Sequence, residues 1–238
     1  MTCNREKISE EIVPGLYVVS TPIGNLKDIT YRALNVLAQV DLIACEDTRR
    51  TGLLLKHFGI ENRLLPYHEY NKVRQTPIIL NLLTQGKSVA LVSDAGTPGI
   101  SDPGFYLIRA AAERGVRIVP VPGASALLAA LVVSGLPSDR FAFEGFLPKR
   151  AGRRRKRLLS LIKETRTMVF CESARRVRRF LEEIEELFGE RRVVVCRELT
   201  KKFEEVIRGT PSEILSEIKD RELKGEVVVV VAGYEEQN

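Results

Sequence analysis

The sequence has no tryptophan, and aromatic residues fill only 6% of its 238 positions. Histidine occurs twice, at His57 and His68, so a zinc site built on imidazoles is not expected. The four cysteines, Cys3, Cys45, Cys171 and Cys196, are scattered without metal-ligand spacing. They read as structural thiols in a reducing cytosol rather than a disulfide framework. No apolar run approaches the roughly 20 residues of a membrane span. Residues 1–13 are polar and charged, with no apolar core of a secretory leader. Neither a GxGxxG dinucleotide loop nor a GxxxxGK[ST] phosphate loop is present. These absences leave a cytoplasmic globular protein whose ligand is not an ordinary nucleotide phosphate; its 44% hydrophobic and 29% charged content fits that class.

What the chain does have is positive charge in one place. The net charge is +6 and the pI about 9.2, mild support for an anionic partner. The segment KRAGRRRKR, residues 149–157, is nearly all basic. It lies between two apolar strands, so a folded scaffold must display it. A polyanion contact is the favoured reading, and a solvated helix start the bland one.

Apolar and β-branched runs alternate with helical patterns. Strands are expected at 16–20, 41–45, 64–65, 89–92 and 116–121, with helices at 31–39, 48–57, 75–84, 105–114 and 126–133. Such alternation implies parallel βαβ units. The break SGLPSD at 134–139 suggests a domain boundary, giving domains 1–136 and 137–238. In the second, strands are expected at 141–146, 167–171, 192–198, 203–208 and 225–233, the last carrying five consecutive valines, with helices at 157–163, 174–188 and 212–219. The fold class is α/β: a mostly parallel sheet in the first domain and a mixed sheet in the second.

One stretch organises the rest. LVSDAGTPGISDPG, residues 91–104, runs from a strand through a tight loop into a helix. Glycine lets backbone approach a ligand and supplies positive φ, and proline stiffens the turn. At the carboxyl end of a parallel strand, such a loop sits where α/β sheets bind ligands. Three more polar loops, at 20–28, 46–50 and 122–125, follow strands of the same sheet and should converge with it at one edge.

The motifs TPIGNLKDIT (21–30), CEDTR (45–49), YHEYN (67–71), SDAGTPGISDPG (93–104), PVPGASA (120–126), FEGFLP (143–148), CES (171–173) and RELTKKFEE (197–205) occur in this order. On these residues the chain resembles the tetrapyrrole methylase-like superfamily of S-adenosylmethionine methyltransferases, over about residues 14–233. It is most similar to the branch that methylates the ribose 2′-hydroxyl of a cytidine in 16S ribosomal RNA. One departure is Tyr70, where a second histidine is expected. The resemblance implies two α/β domains with the methyl donor in the cleft between them, a homodimer, and 16S rRNA or the small ribosomal subunit as partner. It implies donor contacts at Pro22, Ser93, Asp94, Ala95, Gly96, Thr97, Pro98, Ile100, Ser101, Ala124 and Ser125. From the second domain it adds Phe146, Leu147, Glu172, Ser173, Val206 and Val228.

The chemistry would be in-line methyl transfer, for which the protein supplies alignment and removal of one proton; no metal is required. Candidate proton acceptors are Glu46, Asp47 and Asp102, with His68 next, and Lys201 is a candidate to orient ribose or phosphate. Asp47 has the alternative of capping a helix, His68 of a satisfied loop residue, and Glu46 of pairing with Arg49 or Arg50. RNA contacts are expected at Arg49, Arg50, Lys149, Arg150, Arg153, Arg154, Arg155, Lys156 and Arg157, holding phosphates. Only Tyr67, Tyr70 and Phe146 offer stacking surfaces. A methylase of a small tetrapyrrole and a non-catalytic RNA-binding module are the alternative functions.

Overall fold

The computed structural model of the chain describes residues 12–235; Cys3 and most of the N-terminal polar segment lie outside them. The chain divides into two compact units between Ser125 and Ala126.

The first unit contains β1 (Gly15–Val19), α1 (Tyr31–Gln39), β2 (Leu42–Cys45), α2 (Thr48–His57), β3 (Leu64–Pro66), α3 (Lys72–Thr84), β4 (Ser88–Val92), α4 (Gly104–Ala112) and β5 (Ile118–Val121). The strand order is β3-β2-β4-β1-β5 and every pair is parallel. Successive side chains of a strand point to opposite faces, so a sheet covered on both faces needs apolar residues throughout. β2 and β4 meet that need, with every residue buried. On one face Tyr17, Val19, Ile43, Ala90 and Val92 pack with Ala33, Val36 and Leu37 of α1 and Leu55 of α2. On the other, Leu16, Leu42, Ala44, Val89 and Leu91 pack with Ile79, Leu80 and Leu83 of α3 and Leu107 and Ala111 of α4. Thus the chain leaves neighbouring strands β2 and β4 toward opposite faces. That divergence opens a crevice at their carboxyl ends.

Local chemistry sets the helix starts. Thr30 caps α1, its Oγ1 accepting from the Ala33 N–H at 3.1 Å. α3 begins three residues before its expected start, carrying Pro77 inside it. Asn71 nucleates that extra turn: its carbonyl accepts from the Arg74 and Gln75 N–H groups.

The second unit contains α5 (Ala126–Ser134), β6 (Phe141–Phe146), α6 (Ala151–Leu159), β7 (Thr167–Ser173), α7 (Ala174–Phe188), β8 (Val193–Arg197), β9 (Glu205–Gly209), α8 (Pro211–Glu217) and β10 (Glu226–Val231). The order is β6-β7-β10-β8-β9, with β6 and β7 parallel and the other pairs antiparallel. The valine strand β10 takes the central position, where both faces are covered. Its core joins Phe170, Phe180, Leu181, Ile184 and Val229.

Two expectations are corrected. The division falls at Ser125/Ala126, not after residue 136, because α5 packs on this second sheet. The Arg208 guanidinium donates to the Val133 and Ser134 carbonyls at the end of α5. The other correction concerns the basic run, which does not precede a helix at 157–163 but is itself α6. Cys45, Cys171 and Cys196 are free, and burial pushes each thiol up to about 11, so they stay protonated near neutral pH.

Candidate active site at the carboxyl edge of the first sheet

Because the strands are parallel, the loops after β1, β2, β4 and β5 emerge at one edge. The loop after β4 is pinned across β1. The Thr21 N–H donates to the Gly96 carbonyl at 2.9 Å, and the Gly96 N–H donates back to the Thr21 carbonyl at 3.0 Å. The Thr21 hydroxyl donates to the Ser93 carbonyl at 3.1 Å, and the Ser20 and Thr97 hydroxyls lie 2.9 Å apart. Thr97 Oγ1 reaches the Ala124 carbonyl at 3.4 Å, tying in the loop after β5. This path needs φ of +81° at Gly96, a conformation glycine adopts without penalty. Ser101 holds φ of 67° without that freedom, a strained position of the kind that gathers at functional sites. At Gly123 a Cβ would sit 3.0 Å from Ser20 Cβ, so a side chain there would crowd β1 unless Ser20 gave way.

The candidate proton acceptors separate by their partners. Asp102 clasps the loop: its carboxylate accepts from the Gly99 N–H at 2.9 Å and the Gly104 N–H at 2.7 Å. Burial raises its pKa while those hydrogen bonds oppose the rise. Asp47 caps α2, accepting from the Arg49 N–H at 2.8 Å and from the Arg49 guanidinium at 2.7 Å. The Arg49 bonds hold its carboxyl well below the usual range, which makes it a poor base. His68 is occupied in a different way. Asn71 Oδ1 accepts from the His68 N–H at 2.8 Å while its Nδ2 donates to the Pro66 carbonyl at 2.9 Å. That orientation presents an N–H to His68 Nε2, 3.1 Å away. Nε2 is therefore the acceptor and the ring proton rests on Nδ1, a buried atom without a partner among the described residues. The basic nitrogen of His68 is already used. Lys201 is also taken, its ammonium 2.9 Å from both Glu198 Oε1 and Glu226 Oε2.

Glu46 remains. Burial pushes its carboxyl up and the negative charges of Asp94 and Asp102 push it further, against the smaller opposing effects of a bond to the Asp94 backbone and the Arg50 charge. Asp94 itself leans toward α2. Its Oδ1 accepts from the Asp47 N–H at 3.0 Å and its Oδ2 lies 3.3 Å from an Arg50 nitrogen. Beside it opens a pocket of about 260 Å³ with Pro22, Leu26, Leu53 and Leu54 among its walls. Leu53 and Leu54 carried no sequence signal beyond helix, because a wall of a pocket has no motif.

In the second unit the expected donor contacts divide. Phe146 is exposed, but Leu147 belongs to the core, so its side chain is not offered to a ligand. The Glu172 carboxylate is buried and committed: it accepts from Arg154 at 2.9 Å and from Arg176 at 2.6 Å. The basic run is partly neutralised. Arg154 is only 2% exposed and also binds Glu183, so it is not an RNA contact. The reason is helical spacing, since Arg154 and Leu158 share the inward face of α6. Arg155 pairs with Glu186 at 2.7 Å and Arg157 with Glu144 at 2.6 Å. Lys149, Arg150, Arg153 and Lys156 have no ion pair among the described residues.

A family model described as tetrapyrrole (corrin/porphyrin) methylases matches residues 15–215. The chain is similar to ribosomal RNA small subunit methyltransferase I of Escherichia coli O157:H7, 52% identical over 226 residues, covering 93% of this chain and 79% of that protein. The same-named protein of Xylella fastidiosa (strain Temecula1) is 51% identical, covering 94% and 84%. Among solved structures, a cobalt precorrin-4 methyltransferase aligns with TM-score 0.67 at 18% identity, covering 91% of this chain and 94% of that one. The uroporphyrin-III C-methyltransferase of Thermus thermophilus, complexed with S-adenosylhomocysteine, aligns at TM-score 0.62 and 16% identity, covering 92% and 97%. At these identities the structural likeness concerns the fold.

Arg154→Ala should destabilise the protein by up to about 3–5 kcal/mol, because it takes from the buried Glu172 carboxylate one of the two arginines that compensate it. Arg153→Ala should stay within about 0.5 kcal/mol of wild type. Urea midpoints at neutral pH check the pair; equal midpoints would contradict the buried assignment.

Proposed function

Because the chain belongs to the tetrapyrrole methylase family, and within it to the ribosomal RNA small subunit methyltransferase I group, we propose that it transfers a methyl group from S-adenosylmethionine to the 2′-hydroxyl of a cytidine ribose in 16S rRNA of the small subunit. The observation that carries this reading is the 52% identity running over 93% of the chain. The reading includes work in the cytoplasm as a homodimer, as the resemblance implies.

The residues at the edge suit the donor. Residues 95–101 and 122–125 carry no charged side chain; they offer backbone N–H and C=O groups and hydroxyls, the right set for an adenosine and an amino-acid tail. The glycine geometry at Gly96 and Gly123 keeps that backbone free of side-chain bulk. When bound, S-adenosylmethionine supplies an electrophilic methyl on a good leaving group. The chain's own tasks are to hold the ribose hydroxyl in line with that methyl and to take the hydroxyl proton at a carboxylate oxygen of Glu46. Glu46 is suited to this because its raised pKa makes it a stronger base than an exposed carboxylate, while Asp47 is held low by Arg49 and Asp102 bridges two N–H groups of its own loop. The unpaired cations of and beside α6, Lys149, Arg150, Arg153 and Lys156, hold phosphates and so fix register rather than sequence.

Incubation with labelled S-adenosylmethionine and small ribosomal subunits from a strain lacking the protein should place label on one cytidine ribose, mapped by nuclease digestion and mass analysis. Label on no RNA, with donor binding intact, would turn the reading to a small-molecule methylase. The pH profile tests the base. Glu46 must be ionised to accept the proton, so kcat/KM should rise through a pKa above the usual glutamate range and level off at higher pH. Glu46→Gln should flatten that acid limb and lower the rate roughly 10²–10⁴-fold; an unchanged profile would remove Glu46 from the role.

A further inference from the structure

The pocket beside Asp94 lies at the carboxyl ends of β2 and β4, where the chain departs toward opposite faces of the sheet. Open α/β sheets bind ligands at such a switch point. At about 260 Å³ it falls below the roughly 300–1,000 Å³ of pockets for drug-sized ligands. It therefore suits one planar ring rather than a whole nucleoside with its amino-acid tail. Pro22, Leu26, Leu53 and Leu54 give apolar walls for the ring faces, while Asp94 and Arg50 give one acceptor and one donor at its edge.

Pro22, Ser93 and Asp94, expected among the donor contacts, line this pocket, so an acceptor seated here takes them and leaves the donor the flank beyond the β4 loop. Asp94 turns toward β2 and α2, whereas Gly96 and Thr97 are tied to β1 and to Ala124 after β5. We propose that the pocket receives the flipped-out cytosine of the acceptor nucleotide, with the Asp94 carboxylate reading the N4 amino group. This rests on the ribose-methylation reading above and names the group that chooses the base. Asp94 spends one lone pair on the Asp47 N–H, and a carboxylate has about four, so acceptor capacity remains. Cytosine presents an N4 amino donor, and carboxylates are its usual partners. Uracil presents O4 in that place, an acceptor facing an acceptor. Arg50, two-thirds exposed and 3.3 Å from Asp94, is free to donate to the ring's remaining acceptors or to the adjoining phosphate. Its apolar neighbours replace the stacking that the missing tryptophan would have provided. An extruded base is also what ribose chemistry inside a structured RNA calls for, since single-stranded, splayed bases are the readable ones.

Two variants test the assignment on small subunits reconstituted with cytidine or uridine at the mapped position. Asp94→Asn keeps an acceptor for the Asp47 N–H but adds a donor toward the base. It should cut the cytidine-over-uridine preference roughly 5- to 150-fold, the worth of one base contact, while calorimetry with S-adenosylhomocysteine shows unchanged affinity. Leu53→Trp, at a largely exposed wall position that the core does not use, should raise KM for subunits and leave donor affinity alone. An unchanged base preference in Asp94→Asn would overturn the inference. So would donor affinity falling in both variants, which would make the pocket the site of the donor's adenine. Absence of RNA methylation by the unaltered protein would overturn the function reading and this inference with it, and is distinguishable from either result.

Discussion

Two backbone hydrogen bonds between Thr21 and Gly96 determine how the carboxyl edge of the first sheet is used. They fold the loop after β4 back over β1, and they exist because residue 96 takes a positive φ that only glycine holds cheaply. Everything else at the edge follows from that crossing. Thr97 is delivered to Ser20 and Ala124 on one flank. Asp94, two residues before the crossing, is left turned to Asp47 and Arg50 on the other. Asp102 then closes the loop by gathering the Gly99 and Gly104 N–H groups. One rigid segment thereby divides the edge into a neutral, backbone-lined flank and a flank with apolar walls and paired charges.

Charge in the second unit works mostly inward. Arg154, Glu172, Arg176 and Glu183 form a connected ion cluster around the C-terminal end of β7. Buried pairs of this kind contribute little net stability but cost much when broken. Their effect is to fix where α6 lies against α7, and so where its unpaired cations are presented. A run that looks uniformly basic along the chain is therefore two things at once, a buried anchor and an exposed face of unpaired cations.

Much of this was legible in the chain itself. Strand–helix alternation and the glycine–proline punctuation of residues 93–104 indicate a parallel sheet with a ligand loop, because both patterns are local consequences of backbone chemistry. The motif order carried the family. What escaped was whatever depends on partners distant in sequence. Arg154 reads as one of several equivalent arginines until α6 turns it onto Glu172, eighteen positions on. The polar break at 134–139 resembles a domain boundary, yet α5 before it packs on the second sheet, since an apolar helix does not declare which sheet it covers. Asp47, Asp102 and His68 are chemically able bases whose lone pairs turn out to be committed to backbone or amide groups, and composition cannot show that.

The central claim is that the β4 loop keeps donor and acceptor base on separate flanks. Hydrogen exchange of the full chain, with S-adenosylhomocysteine alone and then with a short RNA spanning the modified cytidine added, tests it most directly. The account predicts slowed exchange in residues 95–101 and 122–125 with the donor product alone, and added slowing in residues 46–54 only with RNA. Slowing of residues 46–54 by S-adenosylhomocysteine alone, with 122–125 unchanged, would contradict it.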